Sequence, residues 1–162
     1  MPTLQQTILI AATVKQTYAY LGDIERVQAW LPHVVGAART SAAKTGEGAE
    51  LNIVVEAAGK RSEGTSRCTL AESPHRLAFS TTLDIGLTST TTFDLVAEGK
   101  QTSVTATVEY AFTGRGFSRL LGGLFGDKYA RQDIVTALDN LKAGVEAEQA
   151  RRRQRARAPS AL

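Results

Sequence analysis

Two spacings of apolar residues alternate along this chain. Between Val35 and Phe112 they fall mostly at every second position, while near the start and at the end they recur at three and four. Spacing by two sends side chains to opposite faces of a pleated strand, and spacing near 3.6 gathers them on one side of a helix. Leu4 to Ile10 alternates in part and contains Thr7 and Ile8, so it reads as a first strand. Thr13 then offers an N-cap hydroxyl with Gln16 three residues on, the capping-box arrangement, and a helix follows with Val14, Tyr18 and Leu21 on one face. Gly22-Asp23 interrupts it. A second short helix carries Ile24, Val27, Trp30 and Leu31 until Pro32 stops it.

Six strand-like segments come next. A weak one covers Val35 to Ser41, and Gly46-Glu47-Gly48 turns the chain. Leu51, Ile53 and Val55 then share a face opposite Glu50, Asn52 and Glu56, as in a strand with one wet side. After Gly59-Lys60, residues Arg61, Glu63, Thr65 and Arg67 alternate with Ser62, Gly64, Ser66, Cys68 and Leu70. Ser73-Pro74-His75 signals a turn before Leu77, Phe79, Thr81, Leu83 and Ile85, and a break at Gly86 precedes Leu87, Ser89, Thr91, Phe93 and Leu95. Gly99-Lys100 leads into Val104, Ala106, Val108, Tyr110 and Phe112. Connections this short demand antiparallel neighbours, because a parallel pair needs a crossover of about a dozen residues.

From Phe117 the helical spacing returns through Leu120, Leu121, Leu124 and Phe125 to Ile134, Leu138, Leu141 and Val145. Gly122, Gly123 and Gly126 fall in the first turns of this predicted helix and imply a hinge, a kink or a close approach there. Past Glu148 the Arg/Ala/Gln run has no apolar stripe, so fraying is expected. The predicted organisation is α+β, with one domain over residues 1–148 and an Arg-rich flexible tail over 149–162.

Composition narrows the function. The chain has 162 residues, enough for one core that buries roughly two-thirds of the unfolded surface. Its formal charge of +3 is misleading, since five arginines between Arg151 and Arg157 lie in the tail; removing those five leaves −2 for residues 1–150. A nucleic-acid-binding field is therefore not expected on the folded part. The tail arginines are the candidate contact for an anionic membrane. One cysteine, Cys68, excludes an internal disulfide, and with only His33 and His75 beside it no bound metal or other cofactor is expected. The short apolar run Ile8 to Ala12 suits neither a secretory leader nor a bilayer span, which points to a cytoplasmic protein.

The stretch from Ile8 to Pro32, with Val14, Tyr18, Leu21-Gly22-Asp23 and Trp30-Leu31-Pro32, resembles the START-like superfamily, also called SRPBCC, helix-grip or Bet v 1-like. The segment Glu72-Ser73-Pro74-His75-Arg76-Leu77-Ala78-Phe79 and the ending Leu138, Leu141-Lys142-Ala143-Gly144-Val145-Glu146 look like its bacterial polyketide cyclase/dehydrase branch. The resemblance implies a curved antiparallel sheet of about seven strands wrapped around a long C-terminal helix, with two short helices after the first strand. It also implies a cavity between sheet and helix. Members bind lipids, quinones, hormones or polyketides, and only some catalyse a reaction, so the fold does not fix the function.

Small residues on the wall (Ser62, Gly64, Ser66, Cys68) and on the facing helix leave room inside such a cup. The candidate cavity takes Ile53, Val55, Ser66 and Cys68 from the first long strands. Phe79, Thr81, Leu83, Ser89, Thr91 and Phe93 come from the next pair, and Val108 and Tyr110 from the last. Trp30 is assigned from the short helix, and Leu121, Leu124 and Phe125 from the final helix. Three functions are open: a binder of a small hydrophobic ligand, a lipid, quinone or polyketide-like compound; a polyketide cyclase or dehydratase using the same cavity; and a non-catalytic module acting on a protein or membrane. No assembled acid/base pair is visible. Tyr110, with the inward hydroxyls of Thr81, Ser89 and Thr91, is the candidate for orienting a substrate, while Cys68 reads as a small buried thiol and Asp84 and Glu109 as solvated carboxylates.

Overall fold

In the computed structural model, which describes residues 3–57, 59–112 and 127–157, seven strands form one antiparallel sheet. They are β1 (Thr3–Ile10), β2 (Val34–Arg39), β3 (Glu50–Ala57), β4 (Lys60–Glu72), β5 (Arg76–Leu83), β6 (Leu87–Glu98) and β7 (Gln101–Phe112). Their order across the sheet is β1-β7-β6-β5-β4-β3-β2, a meander whose first strand returns to pair with its last. The helices are α1 (Val14–Gly22), a 3₁₀ turn and α2 (Val27–Trp30), and the long α3 (Asp127–Arg157).

The α1 start follows the capping pattern. Thr13 Oγ1 accepts from the Gln16 N–H at 3.2 Å, and Gln16 Oε1 accepts from the Thr13 N–H at 3.0 Å. Asp23 closes α1, and its Oδ1 takes the Glu25 N–H at 3.1 Å to begin the next turn. The sheet buries one face. On β7, Thr102, Val104 and Ala106 are buried while Ser103, Thr105 and Thr107 look outward toward further hydroxyls and amides such as Thr7 and Gln5. Ile10, Leu77, Leu95 and Val104 meet Leu21 of α1 and Leu141 and Val145 of α3 in one core.

Polar ties pin α3 over the concave face. Lys142 Nζ donates to the Leu9 carbonyl and to Glu146 Oε1, both at 2.8 Å, and Glu146 Oε1 also accepts from the Ala11 N–H at 3.0 Å. Arg26 reaches Glu148 at 3.0 Å, and Asn140 Nδ2 donates to the Trp30 carbonyl at 3.2 Å. Close approach completes the seat: a Cβ on Gly144 would lie 2.2 Å from Tyr20 Oη.

On β4 the structure departs from the sequence reading. The β4–β5 register shifts between Cys68 and Leu70, so a bulge at Thr69 turns Ala71 rather than Leu70 toward the core. The helix α3 runs on to Arg157 through Arg, Ala, Gln and Glu, which are strong helix formers even without an apolar stripe. The predicted helix start at Phe117, its glycines Gly122, Gly123 and Gly126, and Leu120, Leu121, Leu124 and Phe125 lie outside the described residues.

Candidate functional site: a cavity between sheet and helix

The curved sheet and α3 line a cavity of about 350 Å³. Its floor is the concave face of β3 to β7, its roof the α3 residues Ala130, Ile134, Ala137 and Leu138, and one wall the α2 segment with Trp30 to Val34. Two alanines in the roof are too short to reach the floor, which is why the space persists.

Gly64 lets β5 come close to β4. A Cβ there would lie 2.0 Å from the Thr82 carbonyl oxygen and 2.9 Å from Leu83 Cα, so β5 folds over β4 more closely than any side chain permits. At the inner end Trp30 stands edge-on to Phe93, with ring centroids 5.9 Å apart, and Phe93 stands edge-on to Phe79 at 6.2 Å. Trp30 is only 6 % exposed, so it both packs in the core and lines the cavity. Ser62, on the cavity wall, donates from Oγ to Asp84 Oδ1 at 2.5 Å.

Most of the predicted lining comes together here. Trp30, Ile53, Val55 and Ser66 border the cavity, as do Phe79, Thr81, Leu83, Ser89, Thr91 and Phe93 along the middle strands and Val108 and Tyr110 on β7. Cys68 does not. It sits one residue pair beyond Ser66, 2 % exposed, in the filled part of the core, with Sγ donating to the Leu70 carbonyl at 3.4 Å. Burial pushes its thiol pKa up, and Glu47 adds to the rise. Leu121, Leu124 and Phe125 lie outside the described residues.

Sequence reasoning missed one pairing at the cavity rim. His33 Nε2 and Asp133 Oδ1 are 3.0 Å apart, joining the loop before β2 to α3, and both residues line the cavity. A carboxylate only accepts, so the Nε2–H donates to it, and in the uncharged tautomer this fixes, Nδ1 is the acceptor. His33 holds this place with φ of 69°, the one non-glycine residue in the left-handed region among those described. Asp133 carried a signal in the chain, as the acid immediately before Ile134 on the apolar side of α3, but its partner is 100 residues away. Among the described residues no three His, Cys, Asp or Glu side chains converge to hold a metal, and no helix is long and apolar enough to cross a membrane.

Solved structures share this architecture. A Thermus thermophilus protein superposes with a TM-score of 0.76 at 23 % identity, covering 91 % of this chain and 99 % of its own. A START superfamily protein from Mycobacterium smegmatis gives 0.68 at 15 % identity, with 90 % and 97 % covered. The Zhui aromatase/cyclase from a Streptomyces species gives 0.65 at 18 % identity, with 99 % of each chain covered. At these identities the likeness is one of fold. Comparison with curated protein sequences finds no match. The family described as polyketide cyclase / dehydrase and lipid transport matches residues 1–146, nearly the whole of the chain, and to that family this protein belongs.

Proposed function

We infer that the protein binds a small hydrophobic molecule in the cavity between the concave sheet face and α3. The observation that carries this reading is the cavity itself, about 350 Å³ of space lined mainly by aliphatic and aromatic side chains. A guest burying on the order of 300 Å² of apolar surface gains about 7 kcal/mol, and the wall it covers contributes a similar amount. Association costs about 4–15 kcal/mol of that gain, which leaves micromolar affinity, about −8 kcal/mol, within reach.

The test is titration with the uncharged fluorescent probe N-phenyl-1-naphthylamine. Saturable one-site binding is expected, at least tenfold weaker in Ala137→Phe and in Thr91→Phe, each of which puts a ring into the cavity. Binding that is absent, or that ignores both substitutions while melting curves show them folded, would overturn the reading.

His33 and Asp133 favour a second reading, an enzyme of the cyclase or dehydratase kind. An imidazole held at Nε2 by a carboxylate has Nδ1 available to take a proton from a substrate at the rim, with Tyr110 on the floor as a polar contact. Turnover of a reactive poly-ketone that falls about a hundredfold or more in His33→Ala, with probe binding retained, would establish it. Equal turnover in the variant would remove it.

A further inference from the structure

Every residue of α3 from Arg151 to Arg157 is exposed, Ala156 included, although Ala156 continues the line of Leu141, Val145 and Gln149 that is buried in the core. The helix has therefore cleared the body of the protein, and from Ala150 onward it is a free rod about 12 Å long. Most of that rod is arginine. Arg152 alone of its arginines has an ion pair among the described residues, with Glu148 at 3.4 Å, and no acidic residue follows Glu148.

Arg155 and Arg157 have a local use, since they sit in the last turn, where cations offset the negative end of the helix. Arg151 and Arg153 lie further back, and the fold gives them no such role. Successive helix residues are rotated by about 100°, so the arginines point all around the rod and leave no charge-free sector wider than about 120°. Ala150, Gln154 and Ala156 between them supply no apolar face that would enter a bilayer. A flat anionic surface meets one side of such a rod and leaves the arginines of the other side unanswered. A groove walled by phosphates meets both sides, and guanidinium forks match phosphate oxygens in pairs. The major groove of B-form DNA is about 12 Å wide and admits a helix, whereas the deep, narrow major groove of duplex RNA does not.

We propose that the Arg151–Arg157 rod docks in the major groove of duplex DNA, holding phosphates on both walls and reading no base sequence. The body of the protein stays outside: residues 1–150 carry a formal −2, so the attraction is confined to the rod. Leu138, in the cavity roof, lies about 20 Å back along the helix from Arg151, so DNA and a guest in the cavity do not compete.

Fluorescence anisotropy of the full chain with a labelled DNA duplex of about 20 base pairs tests it across a range of salt. The arginines without an ion pair, Arg151, Arg153, Arg155 and Arg157, should give a slope of about −3.6 in log affinity against log salt, or about 150-fold weaker binding at about 200 mM than at about 50 mM. Arg153→Gln should lower that slope by about 0.9, and changing all of these arginines to Gln should weaken binding at least thirtyfold at about 50 mM. Gln154→Pro keeps every charge but breaks the rod, and should weaken binding several-fold. Melting curves and N-phenyl-1-naphthylamine affinity should be unchanged in these variants, because each change lies beyond the body. No binding to the duplex at about 50 mM salt, binding that survives loss of the arginines, or equal binding by Gln154→Pro overturns the proposal. Duplex RNA bound as tightly as DNA overturns the groove. Phosphatidylglycerol vesicles that hold the chain more tightly per phosphate than the duplex does overturn it as well, and reassign the rod to a membrane.

Discussion

Replacing Gly64 by alanine adds one methyl group where the β5 backbone lies close against β4. The new Cβ would sit 2.0 Å from the Thr82 carbonyl oxygen and 2.9 Å from both Leu83 Cα and Leu83 Cδ2. A carbon and a carbonyl oxygen normally stay more than about 3 Å apart, so a shift of about 1 Å is required, and two of the three colliding atoms are backbone. Leu83 is the register partner of Gly64, and the Asp84 N–H donates to the Glu63 carbonyl beside it at 2.8 Å, so relief means parting the β4–β5 ladder there. Overpacking costs about 1–3 kcal/mol where side chains can yield. With backbone in the way the upper end applies, about 3 kcal/mol, or roughly 6–12 °C in Tm for a chain of this length. Urea denaturation followed by circular dichroism measures it. Gly36→Ala is the matched control: a Cβ there meets Val54 at an ordinary 3.6 Å, and removing a glycine from a strand should be neutral or stabilising by about 0.5 kcal/mol. If Gly64→Ala came within about 0.5 kcal/mol of wild type, the claim that this close approach admits only glycine would be wrong.

Other predictions follow from the same contacts. Gly144→Ala should destabilise despite a helix-propensity gain of about 1 kcal/mol, because its Cβ would lie 2.2 Å from Tyr20 Oη and 2.7 Å from Cζ; in a Tyr20→Leu background the sign should reverse, and a double-mutant cycle reads the difference. The Cys68 thiol, raised by burial, should resist a disulfide reagent at pH 8 in the folded protein and react fully in denaturant; fast native reaction would contradict its placement. Burial works to raise the Glu146 carboxyl, but hydrogen bonds from Lys142 and the Ala11 N–H, with the Lys142 charge, bring its pKa net below the usual glutamate value. A lowered carboxyl stabilises above its unfolded pKa of about 4.3 and loses that contribution as pH falls through the folded value, so Glu146→Gln should flatten the loss of stability between about pH 5 and 3.

Alternation and capping could be read from the chain because both are local. Every strand from Glu50 onward, and the Thr13–Gln16 start of α1, depends on residues a few positions apart. What could not be read depends on register. The inward faces of four strands were evident, but that Ser66, Thr81, Ser89 and Tyr110 share one level follows only from how the hairpins align. A one-residue bulge at Thr69 reversed the expected facing of Leu70, since residues of many kinds accommodate a bulge. Cys68 was placed on the correct face yet beyond the open space, because periodicity gives direction but not depth. The His33–Asp133 pair needs β2 and α3 to be brought together, and no local rule carries that.

The strand that begins the sheet is also the one that completes it. Thr3 is aligned with Glu109 and Ile10 with Thr102, so β1 has no neighbour until the chain has been synthesised past β7. Pairings this distant carry a large loop-closure entropy and slow the search for the native arrangement. During translation Ile8 and Ile10 must therefore wait through about ninety more residues before the hydrogen-bonding edge of β1 and its apolar side chains are covered. Any chaperone demand this protein makes should concentrate on that interval.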